Sequence, residues 1–264
     1  LVPAGPHVVN AAGVDRDEVI EIDGVATRAT VPAHGITAVT SRSHDDRVVV
    51  TDRSMANHHL AVRWDANGNL VSIIDVKRAR EVLPEGHLGA VLELAPDHPV
   101  RYDAWDLESW TPGLATPLLA ADAVEIVTDQ PMLGRVRIRR SFGPSTATIR
   151  YTLRAGSPRV DIGIELDWQH DEHLLSMVFP LDVRADTAAC DIQFGHVRRP
   201  THPSNSWDAA KFEVCAHRYV DVSEPDFGVA VLNDGRYGHG LFDGRVRVSL
   251  ARAARYAPGL PGSA

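Results

Sequence analysis

The sequence predicts an all-β protein: a large antiparallel β-sandwich preceded by a small β-domain. Three observations predict it. Apolar and polar residues alternate with period 2 through most of the chain, sustained 3.6-residue apolar patterns are scarce, and short Gly-, Pro-, Asn- and Asp-bearing turns separate the alternating runs. A sheet with one apolar face must bury it against another layer, and with so few helical patterns that layer is a second sheet. The 264 residues are 44% hydrophobic and 23% charged, enough apolar material for a large core.

In chain order, residues 1–45 carry short alternations at Glu18 to Ile22 and Ile36 to Val39 and form the small domain. The polar stretch Ser41 to Arg47 is the expected boundary, and residues 46–264 form the large domain. Strands are expected at His59 to Trp64, Asn69 to Asp75, Gly134 to Phe142, Ala147 to Arg154 and Arg159 to Trp168, where Val, Ile, Leu and Tyr alternate with charged residues and Thr. Asp65 to Asn69, Gly143-Pro144-Ser145 and Ala155 to Pro158 supply the turns. Further strands are expected at Leu174 to Val183, Ala188 to Phe194, Phe212 to His217, Gly228 to Asn233 and Arg245 to Leu250. The first half of Gly195 to Glu224 is polar and carries Pro200, Pro203 and Asn205 where a strand needs ladder donors, so it is expected as a long ordered loop.

A formal charge of −8 disfavours nucleic acid as a partner. No apolar run approaches the roughly 20 residues that cross a bilayer, so no membrane partner is expected. The start, Leu1 to His7, has neither an initiator Met nor a basic and apolar leader, and reads as part of a longer polypeptide. Cys190 and Cys215 are the only cysteines and are expected as free thiols in a reducing, cytoplasmic setting. Gly-x-Ser-x-Gly, phosphate-loop and dinucleotide-binding motifs are all missing.

Few constellations could carry chemistry. Asp103-Ala104-Trp105-Asp106 places two acids around an aromatic ring, a combination that suits a sugar, although turn-capping Asp side chains around a core Trp explain it equally simply. Trp105, Trp110, Trp207 and Tyr237 are candidates for a ligand-lined surface, each against the simpler expectation of a core position. His170 and His173 would share a face only on a helix, whereas their flanks read as strand ends, so a polar turn is expected there rather than a metal site.

Arg199-Pro200-Thr201-His202, Ser206-Trp207-Asp208, Lys211 to Val214, Ala216 to Tyr219, Ser223-Glu224, Gly228 to Asp234 and Tyr237-Gly238 together resemble the C-terminal part of glycoside hydrolase family 38 α-mannosidases. Asp65 to Gly68, Ser72 to Asp75, Arg80 to Leu83, Asp103 to Asp106 and Asp167-Trp168 follow in the same order upstream. The similarity runs from about residue 48 to about 252, and residues 1–45 resemble the small β-domain that precedes it.

The resemblance implies a supersandwich like that of galactose-mutarotase-like domains. It also implies retaining hydrolysis of α-mannosides at a zinc site in an N-terminal catalytic domain that this chain lacks. It assigns no nucleophile, no metal ligand and no cofactor here. The implied partners are that catalytic domain and an α-mannoside, with a homo-oligomer also possible. Loops lent to the sugar pocket are expected at Asn233, Asp234, Arg236 and Tyr237, and at Asp103, Trp105 and Asp106. The competing readings are a purely structural domain, an autonomous carbohydrate-binding module, and a mutarotase-like enzyme using His202, His217 and Glu213 as acid and base.

Overall fold

Alternation in the central hairpin decides what is buried. In the computed structural model, which describes residues 5–39 and 45–254, strands Leu133–Phe142 and Ser145–Arg154 pair in unbroken antiparallel register. Val136 lies opposite Tyr151 and Ile138 opposite Ile149, and all four side chains are buried. The register also sets Arg137 opposite Arg150 on the other face, where like charges repel. Glu125 pairs with Arg137, and Glu165 binds Arg150 with contacts of 2.7 and 3.0 Å, which offsets the repulsion. Those acids come from the flanking strands Ala123–Gln130 and Val160–Asp167, which complete a four-stranded sheet.

A five-stranded sheet runs in sequence order through Val49–Val50, Ser54–Ala56, Leu60–Trp64, Leu70–Asp75 and Arg80–Glu81. Two further sheets matter for the site. One has the spatial order Gly195–Pro200, Thr187–Ile192, Tyr219–Ser223, Gly228–Leu232. The other has six strands, in the order Thr116–Pro117, Val91–Pro96, His173–Pro180, Arg245–Arg252, Gly238–Gly240, Val214–Cys215. Neighbours in these sheets are antiparallel throughout. Inward residues of all four sheets join one core, including Met55, Trp64, Leu92, Ile149, Leu175, Val220 and Val248. Among the described residues helix is confined to Ser206–Ala209 and a 3-10 turn at Thr111–Leu114.

The N-terminal residues form the hairpin Arg16–Ile22 with Val25–Val31 and the pair His7–Val9 with Ile36–Ala38. The hairpin turns at Asp23-Gly24, where φ is +50° and +77°, the turn chemistry that two-residue hairpins require. It is tied to the rest by Gln130, which accepts from Ala26 N at 2.8 Å and donates to Gly24 O at 2.7 Å. Val19 joins the common core. Of the expected boundary Ser41 to Arg47, residues 41–44 lie outside the described residues.

The structure corrects several expectations. Gly195–Pro200 is a strand, not the start of a loop, because as the edge of its sheet it can end in Pro200 without losing an interior ladder bond. Phe212 to His217 shrinks to the two-residue strand Val214–Cys215. Val91–Pro96 had no alternation to detect: Val91, Leu92 and Ala95 are all buried, so both faces are covered. In Ala123–Gln130 a bulge between Ile126 and Thr128 interrupts the period.

The loop Asp65 to Asn69 shows how turn and core interlock. The Asp65 carboxylate accepts from Asn67 N at 2.8 Å and Asn69 N at 2.9 Å, and the turn closes at Gly68 with φ +72°. The buried Arg140 donates to Asn67 O at 2.9 Å, Asn69 Oδ1 at 2.8 Å and Ala120 O at 2.8 Å, locking two loops onto its strand. Burial holds its pKa below the usual guanidinium value. A Cβ on Gly68 meets the Ile138 side chain in the core. Gly68→Ala is therefore expected to destabilise the protein by about 2 kcal/mol or more, from the positive φ and the clash together. A urea-denaturation midpoint equal to wild type contradicts this account.

Candidate functional site

Pairing in the six-stranded sheet brings two of the expected loops to one end. Pro96 pairs with His173, and Leu174 with Arg252, so Val91–Pro96 and Arg245–Arg252 finish at the same end, on either side of His173–Pro180. Gly238–Gly240 runs against Arg245–Arg252 with His239 opposite Val248, so the turn 233–237 that precedes it points to the same end. The loop after Pro96 and this turn leave the sheet three strand spacings apart, roughly 14 Å.

Arg252 shapes the first loop. Its guanidinium pairs with the fully buried Asp97 and donates to the backbone carbonyls of Asp103 and Asp106. Trp105 N and Asp106 N both donate to Tyr102 O, at 2.7 and 2.9 Å, which winds Tyr102 to Asp106 into a tight turn. The rings of Tyr102 and Trp105 sit edge to face with centroids 6.3 Å apart, both exposed. Arg252 thus fixes the backbone of the two-acid motif, and Trp105 faces outward rather than into the core.

The second loop is fixed from below. Asn233 Oδ1 accepts from Arg236 N at 2.7 Å, and Gly235 takes φ +81°. Tyr237 O accepts from Ala216 N at 3.0 Å and from His239 Nδ1 at 3.1 Å. His239 is fully buried and its Nε2 has no partner among the described residues, and burial pushes its pKa down. Above this anchor Asp234, Arg236 and Tyr237 are exposed, and the Tyr237 ring lies 5.0 Å from that of His217.

The turn also bridges to the second four-stranded sheet, whose corresponding end carries residues that the sequence did not single out as site residues. Tyr219 pairs with Leu232 and Cys190 with Val220, so the 192–195 hairpin tip, His217-Arg218 and the 233–237 turn share this end. Asp191, buried to 3% side-chain exposure, binds Arg218 through Nε at 2.9 Å, Nη2 at 3.0 Å and backbone N at 3.1 Å. Hydrogen bonding from Arg218 holds the Asp191 carboxyl below the usual aspartate range. At the tip, Phe194 is fully exposed and has φ +62°. A bulky side chain in that region costs about 1–2 kcal/mol. Its isolated position in the sequence gave no signal, because the strain exists only in the folded turn.

A scan against family models matches residues 55–258 to the Glycosyl hydrolases family 38 C-terminal domain. The chain belongs to this family. Mouse Alpha-mannosidase 2C1 (Mus musculus) is 36% identical over 209 residues, covering 78% of this chain and 20% of its own length. Alpha-mannosidase G of Dictyostelium discoideum is 32% identical over 231 residues, covering 85% of this chain and 21% of its own. The chain thus spans about a fifth of the length of these curated relatives. An α-mannosidase crystal structure from Enterococcus faecalis V583 superposes on 95% of the chain with TM-score 0.70 at 16% identity, and the match takes up 33% of that structure. That likeness concerns the fold.

Gln169 to Glu172 links strand Val160–Asp167 to strand His173–Pro180, and it brings the His170 and His173 rings to 5.0 Å. Their Nδ1 atoms are engaged, His170 with Ser145 Oγ at 2.7 Å and His173 with Asp171 O at 2.6 Å. Among the described residues no group of three or more His, Cys, Asp or Glu side chains is placed to hold a metal ion. Glu213 is bound by Arg247 and by Ser249 Oγ, the latter at 2.8 Å. His202 lies exposed beyond strand Gly195–Pro200, on the far side of the sheet order from Tyr219–Ser223. Cys190 is buried and Cys215 exposed, both unpaired, and burial pushes the Cys190 thiol up to about 11.

Trp105, Trp110, Trp207 and Tyr237 are all surface residues, which overturns the core expectation for each. Trp207 sits on the short helix Ser206–Ala209, which Asn205 caps and which buries none of its residues. Trp207→Ala is accordingly expected to shift stability by no more than about 0.5 kcal/mol; a loss of several kcal/mol would show a buried ring. Asp191 gives a pH signature. Its depressed folded pKa means that its stabilisation is complete above the unfolded value of about 3.9 and is lost as pH falls through the folded value. Asp191→Asn should thus destabilise at pH 7, with the gap to wild type shrinking below about pH 4 in denaturation series; a pH-independent gap contradicts the pairing.

Proposed function

We propose that this family 38 C-terminal domain completes the mannoside site of a longer α-mannosidase by offering the end that carries Asn233 to Tyr237 and Asp103 to Asp106. The observation that carries the reading is the gathering of Asp234, Arg236, Tyr237 and Trp105, all exposed, at one end of the six-stranded sheet. Asp and Arg side chains form paired hydrogen bonds to adjacent hydroxyls, and aromatic faces pack on pyranose rings. The partner is the catalytic region found in full-length relatives, and the substrate is an α-mannoside.

Retaining hydrolysis, with two carboxyl groups about 5–5.5 Å apart, belongs in this proposal to that region. So does zinc, since the described residues include no donor set that fits it. The proposal extends to the architecture: residues 46–264 form a supersandwich of the galactose-mutarotase-like type, and residues 1–45 a small β-domain that precedes it. The unpaired Cys190 and Cys215 support a reducing, cytoplasmic setting. One observation favours a second reading, an autonomous carbohydrate-binding surface: Tyr102, Trp105 and Trp110 are exposed on one loop.

The deciding experiment uses Arg236→Ala in the complete α-mannosidase. Hydrolysis of an aryl α-mannoside should fall roughly 10- to 100-fold in kcat/KM, the loss expected for one charged hydrogen bond, with an unchanged melting temperature. Wild-type kinetics would remove this turn from the sugar site. Tight mannoside binding by the 264-residue chain alone would favour the second reading.

A further inference from the structure

Phe194 combines two features that folded chains ordinarily avoid. Its ring is fully exposed, and its backbone occupies the left-handed region, with φ +62°, in the second of the two residues linking Ile192 to Gly195. Asn or Gly would fill that slot without strain. Backbone strain persists only where the surroundings over-determine it, and it concentrates at binding sites. The surroundings do so here: Asp191, immediately before the tip, holds Arg218 with its carboxylate and accepts from His217 N with its carbonyl at 2.9 Å. The tip therefore projects rigidly beside His217, whose ring contacts Tyr237.

We propose that Phe194 is a specificity-determining residue of the mannoside site, an apolar wall for the C–H face of the pyranose next to the one being cleaved. This rests on the reading that the 233–237 turn meets the sugar. The neighbourhood fits a polyhydroxylated ring better than a seam between protein domains. Interface cores are depleted in charge, whereas this end sets exposed Arg218, Asp234 and Arg236 among its aromatic rings. Such a mixture offers stacking and hydrogen bonds together, as sugar sites require. Phe194 takes no part in proton or bond transfer, so its effect falls on binding.

The test compares Phe194→Gly, Phe194→Tyr and Arg236→Ala in the complete α-mannosidase, with an α-linked mannobiose as substrate. Phe194→Gly should raise KM at least about threefold with kcat within about twofold, and its melting temperature should equal or exceed wild type because the turn relaxes. Phe194→Tyr should restore the wild-type KM. An unchanged KM in Phe194→Gly beside an impaired Arg236→Ala overturns the role of Phe194 alone. A lowered melting temperature in Phe194→Gly reassigns the ring to packing against another part of the enzyme and overturns it as well. Wild-type kinetics in both Phe194→Gly and Arg236→Ala remove this whole end from the mannoside site.

Discussion

Burying one face of each of the four larger sheets in a common core is the constraint on which the rest of this structure depends. A one-residue slip turns a strand's apolar set to solvent, so the core fixes each register. Register then decides which loops share an end. Pro96 opposite His173, Leu174 opposite Arg252 and His239 opposite Val248 are pairings forced by burial of Leu92, Leu175 and Val248. Their by-product is a surface where the loop after residue 96 and the turn 233–237 emerge together. Nothing local to either loop specifies that meeting.

Buried charge refines what register places. Asp97 and Asp191 are almost wholly shielded, and each is compensated by an arginine that also reaches backbone or adjoins a loop. Such a pair adds little net stability, because desolvation of the buried carboxylate offsets its attraction to the arginine. Its geometric value is larger. Removing the arginine strands a buried carboxylate, so the loop conformation that keeps Arg252 on Asp97, or Arg218 on Asp191, is selected over its alternatives. The buried His239 does the same for Tyr237.

Much of the fold was legible because amphipathic strands announce themselves. Leu133–Phe142, Ser145–Arg154 and Val160–Asp167 follow the alternation almost to the residue, and their turns carry the expected Gly143 and Gly156 at positive φ. What escaped detection did so for definable reasons. Val91–Pro96 is covered on both faces, Ala123–Gln130 is bulged, and Gly195–Pro200 is an edge strand that tolerates proline. At the candidate site, sequence singled out Asn233 to Tyr237 and Asp103 to Asp106 through a family resemblance, but it left a core position open for their aromatic rings. Exposure of a Trp depends on which layer covers it, and a sequence window holds no information about that. Phe194, Asp191 and Arg218 stayed invisible because their roles arise from strand neighbours about 25 residues apart.

The division of labour among the polar residues argues for recognition rather than chemistry at this end. Several groups that could serve as acids or bases are committed to structure: Glu213 to Arg247 and Ser249, Asp97 to Arg252, Asp191 to Arg218, and His239 to the Tyr237 carbonyl. The exposed groups at this end include Asp234, Arg236, Tyr237, Trp105 and Phe194. On the proposed reading such groups act on a mannoside in ground state and transition state alike, so their loss raises KM more than it lowers kcat. The bond-breaking groups must then come from the four-fifths of its relatives that this chain does not span. A domain built this way gains from rigid loops, because recognition groups on strained or ion-paired backbones lose little entropy when the sugar arrives.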